Sequence, residues 1–323
     1  MTRSRLGTFA ASLAGLLFCT GLATPAAAAP APGPLRIMPL GDSITVGVGS
    51  PGKNGWRADL QRRLRDAGVA ADFVGTGSDG TAGDLDHEGH GGWTIEQIAG
   101  VVDQSLEQFR PDVVLLHAGT NNITRSDDPV AAAGKLSALI DRVQARVPDA
   151  EIYVAKIIGT TVASEVPANR AYNALIPAVV RGKGPRVHLV DQSTVSGLDI
   201  YDLHHPNEFG YRKMAYNWYS AMRGTLHPEW AGTGNPYKAR QALLCHAQSR
   251  TARECRTWHL RRVIVSQKDG QTVTAERWQT LRPVTERIRV RVSGHWARQH
   301  GRKAWVPARY VTKTRQVTRW VSR

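Results

Sequence analysis

The segment Asp112-Val113-Val114-Leu115-Leu116 carries four consecutive apolar residues, with no alternation of polar and apolar positions. A strand of that kind has both faces covered, as in a parallel sheet sandwiched between helices. The pattern around it repeats. Leu35–Leu40 reads as a first strand, residues 56–67 as a helix with Trp56, Leu60 and Leu64 on one face, and Ala71–Val74 as a short strand. Thr94 caps a helix that runs to about Phe109, with Glu96 in its first turn and Ile95, Ile98, Val102, Leu106 and Phe109 as its apolar stripe. A helix near 129–146 leads to a strand at Glu151–Ile157, and a helix near 168–181 leads to a strand at Val187–Val190. A last helix spans about Asn207–Met222, behind Pro206. Five short strands separated by helices predict an α/β fold: a three-layer α/β/α sandwich around a mostly parallel five-stranded sheet, with ligands beyond the strand C-termini.

Chemistry-bearing residues sit at those strand ends. Gly41-Asp42-Ser43 closes the first strand, Gly119-Thr120-Asn121-Asn122 follows the third, and Asp202-Leu203-His204-His205-Pro206 precedes the last helix. A hydroxyl is a poor nucleophile at neutral pH and needs an imidazole to take its proton. His205 is the preferred base for Ser43. Two residues separate it from Asp202, so one compact loop presents both, and Asp202 would orient the ring and favour its charged form. His204, the direct neighbour, is expected to point elsewhere. The Asn121 amide and the backbone N–H groups of Gly92 and Ser43 would stabilise a tetrahedral oxyanion. Taken singly, each segment is also an ordinary turn or helix start: Gly91-Gly92 precedes the Thr94 helix, and Pro206 pre-sets a first helical turn. The set carries the argument. By contrast, Gly75-Thr76-Gly77-Ser78-Asp79-Gly80 lacks both the dinucleotide glycine spacing and a Walker lysine, and reads as a surface loop.

These motifs resemble those of the SGNH hydrolases, the GDSL-like esterase and lipase superfamily. The marks are Gly-Asp-Ser at 41–43, the glycine within Glu88-Gly89-His90-Gly91-Gly92-Trp93, Gly119-Thr120-Asn121-Asn122, and Asp202 with His205, in the family's order over residues 35–223. The resemblance implies a flavodoxin-like sandwich with Ser43 as nucleophile. It implies His205 and Asp202 as the rest of the triad, and Ser43, Gly92 and Asn121 as the oxyanion hole. It implies no metal or organic cofactor. One position departs: the family often has aspartate after the oxyanion asparagine, where this chain has Asn122.

The first 29 residues read as a secretory signal, with Arg3 and Arg5, an apolar run from Phe9 to Leu22, and small residues at Ala26–Ala29. The run is too short for a membrane anchor, and no long apolar segment follows it. Bulky Phe18 before Cys19 argues against a lipoprotein site. A secreted, extracellular protein is expected, in loose contact with the wall if attached at all. Cys245 and Cys255, ten positions apart, are then expected to form one local disulfide, with two free thiols as the alternative.

The net charge of +15 is unevenly spread. Residues 231–323 hold 21 Lys plus Arg against 4 acids, whereas residues 30–230 hold 19 basic and 23 acidic residues. The domains read as 1–29 signal, 30–230 hydrolase, and 231–323 a basic Trp/Arg-rich extension or small binding domain. The turn-forming stretch Ala231–Pro236 would link the last two, and strand-like stretches lie at Arg262–Ser266, Arg287–Ser293 and Val306–Thr312. Such a composition suits an acidic polysaccharide or wall polymer, or nucleic acid held nonspecifically through the same charge; the alternatives are a neutral-sugar binding module and no specific partner. No zinc-finger spacing or helix-turn-helix pattern favours specific nucleic-acid binding.

A catalytic region of this size leaves little chain for a lid or acyl tunnel, which favours short acyl groups on bulky carriers. The Glu88–Trp93 segment and the compact layout resemble secreted carbohydrate esterases such as acetylxylan esterases. The expected activity is therefore serine-dependent deacetylation of xylan or a related polysaccharide. The alternatives are an extracellular lipase, lysophospholipase or broad short-chain esterase, and a wall or polysaccharide-binding protein with weak esterase activity. Trp56, Trp93 and Trp218 do not identify sugar by themselves and fit a core equally well.

Overall fold

The computed structural model describes residues 33–249, 251–268 and 271–322; the signal-peptide reading of residues 1–29 lies outside them. In chain order the elements begin β1 (Leu35–Gly41), α1 (Ser43–Val46), α2 (Arg57–Asp66), β2 (Ala71–Phe73), β3 (Gly77–Ser78), β4 (Asp86–Gly89), α3 (Ile95–Ala99) and α4 (Val102–Phe109). They continue with β5 (Val113–His117), α5 (Thr120–Thr124), α6 (Pro129–Arg146), β6 (Glu151–Lys156), α7 (Val166–Arg181), β7 (Val187–Asp191) and α8 (Glu208–Thr225). All of them belong to the unit Pro34–Arg323.

The unbroken apolar run of β5 is explained by what covers it. Val113 and Leu115 join Trp56, Leu60 and Trp218 in a core beneath α2 and α8. Val114 and Leu116 join Ile98, Leu106 and Leu136 in a second core beneath α3, α4 and α6. Alternate residues of one strand thus feed opposite layers, and neither face needs a polar residue. Trp56 and Trp218 are fully buried, with ring centroids 5.7 Å apart.

The five expected strands are present as β1, β2, β5, β6 and β7, but the sheet is mixed and has seven strands, in the order β3-β4-β1-β5-β6-β7 with β2 also on β1. β2 pairs with the start of β1 and β4 with its end, both in parallel, while β3 runs antiparallel to β4. The five-stranded expectation is corrected on this point. β4 is Asp-His-Glu-Gly and carries no apolar signal. Its buried Glu88 is accommodated by hydrogen bonds instead, from the Thr76 N–H at 2.9 Å and from His90 Nε2 at 2.7 Å. The Gly75–Gly80 segment is accordingly no loose loop. Gly77 lies so close to the His87 ring that a Cβ there would stand 2.5 Å from His87 Cε1.

A second difference concerns the helix expected from Thr94 to Phe109, which is two helices. Gly100 ends α3, and Val101, at φ −120° and ψ −17°, turns the chain before α4. Glycine is a poor helix interior residue, and the apolar stripe continues in phase across the break, which hides it from a periodicity argument.

Beyond α8 the chain forms β8 (Gln241–Ala247), β9 (Arg253–Lys268), β10 (Gln271–Val292), β11 (His295–Gln299), β12 (Arg302–Val306) and β13 (Arg309–Ser322). These make an antiparallel sheet, β13-β10-β9-β8, and a separate β11–β12 hairpin. Cys245 and Cys255 face each other across β8 and β9 and are joined by a disulfide. The segment before β8 is tied to the α/β body. Arg63 donates to Thr233 Oγ1 at 2.7 Å and to the Gly234 carbonyl at 2.9 Å, and Tyr219 donates to the Ala231 carbonyl at 2.6 Å. Among the described residues no helix is long and apolar enough to cross a membrane.

Candidate active site

Ser43 is the first residue of α1, directly after β1. Asp42 caps that helix: its Oδ1 accepts from the Ile44 N–H at 2.9 Å. Gly41 has no room for a side chain, since a Cβ would stand 2.2 Å from the His117 carbonyl oxygen of β5. Asp42 and His117 are both fully buried below the serine. Burial pushes the Asp42 carboxyl up and the His117 imidazole down from their usual values, and the proximity of each to the other partly opposes both shifts.

The loop before α8 brings the histidine to the serine. His205 Nε2 lies 2.9 Å from Ser43 Oγ, and His205 Nδ1 lies 2.8 Å from Asp202 Oδ2. The other Asp202 oxygen accepts from the backbone N–H groups of His204 and His205, both at 2.9 Å. Burial disfavours the Asp202 carboxylate, but its bonds to His205 and to the two backbone groups prevail and hold it well below the usual carboxylate range. It therefore stays ionised and keeps the Nδ1 proton on the imidazole, which leaves Nε2 as an acceptor facing the serine hydroxyl. His204 turns the other way, with its Nε2 2.7 Å from Glu165 Oε2.

Gly92 and Asn121 stand on neighbouring turns. The His90 N–H donates to the Gly41 carbonyl at 2.9 Å, which pins the His90–Trp93 turn against the end of β1. Gly92 has φ +78°, a left-handed conformation suited to glycine, and open space where a Cβ would be. Asn121 is in the first turn of α5, and its Nδ2 donates to the Trp93 carbonyl at 2.9 Å, so one amide hydrogen remains for another acceptor. Trp93 is half-buried and stacks on His90 with centroids 4.2 Å apart.

The chain matches the GDSL-like Lipase/Acylhydrolase family over residues 40–213, a span that contains Ser43, Gly92, Asn121, Asp202 and His205. It belongs to that family. A multidomain esterase of Ruminococcus flavefaciens is 28% identical over 232 residues, covering 61% of this chain and 29% of that protein. This chain thus spans less than a third of that relative. A family 3 carbohydrate esterase of Clostridium thermocellum superposes with a TM-score of 0.54 at 35% identity, over 61% of this chain and 99% of that one. A family 3 carbohydrate esterase from Talaromyces cellulolyticus gives a TM-score of 0.53 at 26% identity, over 61% and 100%.

In this GDSL-family chain several residues that sequence reasoning did not single out support the site. Thr161 donates from its N–H to the Leu203 carbonyl at 3.0 Å and from its hydroxyl to the Asp202 carbonyl at 3.1 Å. On the opposite side β8 reaches the same loop. The Ala247 N–H donates to the Tyr201 carbonyl at 2.7 Å, and His246 Nδ1 donates to the Ile200 carbonyl at 2.7 Å. No local motif announces these contacts, which join segments far apart in the chain. Asn122, marked in the sequence as a departure, is fully buried, and its Oδ1 accepts from the Ile95 N–H at 2.9 Å.

Proposed function

We propose that this chain is a secreted serine esterase that removes short acyl groups, acetyl above all, from a polysaccharide such as xylan. The observation that carries this reading is the line of contacts from Asp202 through His205 to Ser43 at the C-terminal edge of the sheet. Ser43 Oγ attacks the ester carbonyl carbon while its proton passes to His205 Nε2, and Asp202 stabilises the imidazolium. The carbonyl oxygen, now negative, accepts hydrogen bonds from the Ser43 and Gly92 N–H groups and from the free Asn121 amide hydrogen. The imidazolium then protonates the departing sugar hydroxyl as the carbon–oxygen bond breaks. Water enters, loses a proton to His205 and attacks the acetyl-serine; collapse returns the proton to Ser43 Oγ and releases acetate.

The small size of the α/β unit, which leaves little chain for a lid or acyl tunnel, supports a short acyl group, and the family 3 carbohydrate esterases among the similar structures support a carbohydrate carrier. The basic C-terminal residues would hold the enzyme to acidic polymer outside the cell, the wall included.

The test is acetate release from acetylated xylan, run beside short- and long-chain lipid esters, for the parent and Ser43→Ala. We expect release by the parent and a fall of about 10⁴-fold or more in the variant. A preference for long-chain lipid esters would replace the substrate reading with an extracellular lipase. Polymer binding without turnover would mark a binding protein, and equal rates in parent and variant would sink the serine mechanism.

A further inference from the structure

The antiparallel register of the C-terminal sheet sorts its side chains onto two faces. Residues directly opposite each other share a face, as do alternate residues along a strand. One face carries Ala242, Leu244, Trp258 and Trp278, which pack with Phe209 of α8 and Leu198 of the α/β body. The other face is exposed. It carries Arg261 and Arg277, which are opposite each other, and then Arg287, Arg289 and Arg291 along β10. Trp320 and Tyr310 of β13 stand on the same face, opposite Leu281 and Arg291. Arg261 lies over the Trp320 ring at 4.3 Å, and Arg289 over Tyr310 at 5.1 Å.

The acids are sorted as well. Glu254, Glu276 and Glu286 all belong to the packed side of the register. Each is paired there with arginine: Arg256, Arg240, and Arg315 with Arg319. Among the described residues the exposed face holds no acid, and none of its five arginines named above forms an ion pair. From Arg277 to Arg291 the track is about 45 Å long at the rise of a strand, with its last three arginines about 7 Å apart.

We propose that this face binds a linear polysaccharide bearing carboxylates, of the uronic-acid class, and so anchors the enzyme on its polymer. The proposal rests on the polysaccharide-esterase reading for the kind of polymer, and on charge complementarity for the face. Guanidinium groups match carboxylates in a planar, two-bonded fork. The rings of Trp320 and Tyr310 lie under Arg261 and Arg289 and hold these two guanidinium groups on the face. Like charges without ion-pair partners, three of them on alternate residues of one strand, are otherwise a source of self-repulsion that folding has to overcome.

The experiment measures binding of the full chain to immobilised glucuronoxylan freed of its acetyl esters, to neutral arabinoxylan and to duplex DNA, at low and high NaCl. The proteins are the parent, Arg287→Gln/Arg289→Gln/Arg291→Gln and Ser43→Ala. Thermal unfolding checks that the triple variant is folded. The expected result is binding of the parent to glucuronoxylan that weakens with salt, at least tenfold weaker binding to arabinoxylan, and about a tenfold or greater loss in the triple variant. Ser43→Ala should bind as the parent does, and the triple variant should hydrolyse a small soluble ester at the parental rate. Undiminished binding by the folded triple variant overturns the proposal. So does equal affinity for arabinoxylan, or tighter binding to DNA than to glucuronoxylan at matched salt. Failure of acetate release would sink the esterase reading while leaving this binding result standing.

Discussion

Asn122 is fully buried, and its surroundings give the reason for an amide there. Its Nδ2 donates to Glu96 Oε2 and to Asp127 Oδ2, each at 2.8 Å, while its Oδ1 caps α3. Lys135 completes the cluster with ion pairs to both carboxylates. Burial disfavours the Glu96 carboxylate, but Lys135 and Asn122 prevail and lower its pKa from 4.5 to about 2. A carboxyl depressed in this way stabilises the fold above pH 4.5, and that contribution disappears as pH falls towards 2. Asn122→Asp would replace two donated bonds with a third carboxylate, and should cost about 1–3 kcal/mol at pH 7. Protonation relieves the repulsion, so the deficit should shrink as pH falls below about 4.5. Urea unfolding at pH 7 and at pH 4 would measure both; equal stability of parent and variant at pH 7 would refute the account. The same residue marks what was legible. The sequence showed that position 122 was unusual, but Glu96 comes from α3, Asp127 from the connection between α5 and α6, and Lys135 from α6, and they meet only in the fold.

At the scale of elements, what could be read was whatever carries an apolar signal. β1, β5, β6 and β7 and the long helices α2, α6, α7 and α8 were recognisable because their apolar residues run together in short strand-length stretches or recur at helical spacing. β4 was not, because its buried residues are a histidine and a glutamate held by hydrogen bonds. The grouping of Ser43, Asp202 and His205 was legible because all three follow strands whose ends the topology brings to one edge. The support from β8 was not, because it consists of one backbone N–H and one imidazole reaching back some 46 positions from His246 to Ile200. That support predicts an effect on rate. His246→Ala removes the bond to the Ile200 carbonyl and loosens the loop that carries Asp202 and His205, and misplacement on the order of 1 Å costs up to about 100-fold. A fall of roughly tenfold in kcat, with little change in KM for a small ester, is expected. Unchanged kcat would mean that the body alone, through Thr161, holds the loop.

At the scale of the whole molecule, the C-terminal sheet has two relations to the α/β body that meet at one hairpin. Its packed face closes on Phe209, and the first strand of that face, β8, touches the loop that carries Asp202 and His205. The Cys245–Cys255 bond ties β8 to β9 next to His246 and Ala247, with Leu244 and Trp258 of the same two strands inside the shared apolar cluster. Closing a loop of this length stabilises by about 3 kcal/mol at most, chiefly by restricting the unfolded chain. The stabilisation acts on the strand pair that buttresses the loop, so it should reach the active site. Cys245→Ala/Cys255→Ala is therefore expected to lower the unfolding free energy by up to about 3 kcal/mol and to reduce kcat on a small ester towards the level of His246→Ala. Combining the cysteine changes with His246→Ala should cost less than the product of the two rate losses, because both act through β8. Fully multiplicative losses would show that the disulfide and the imidazole act independently. Loss of stability with kcat unchanged would confine the staple to the C-terminal sheet.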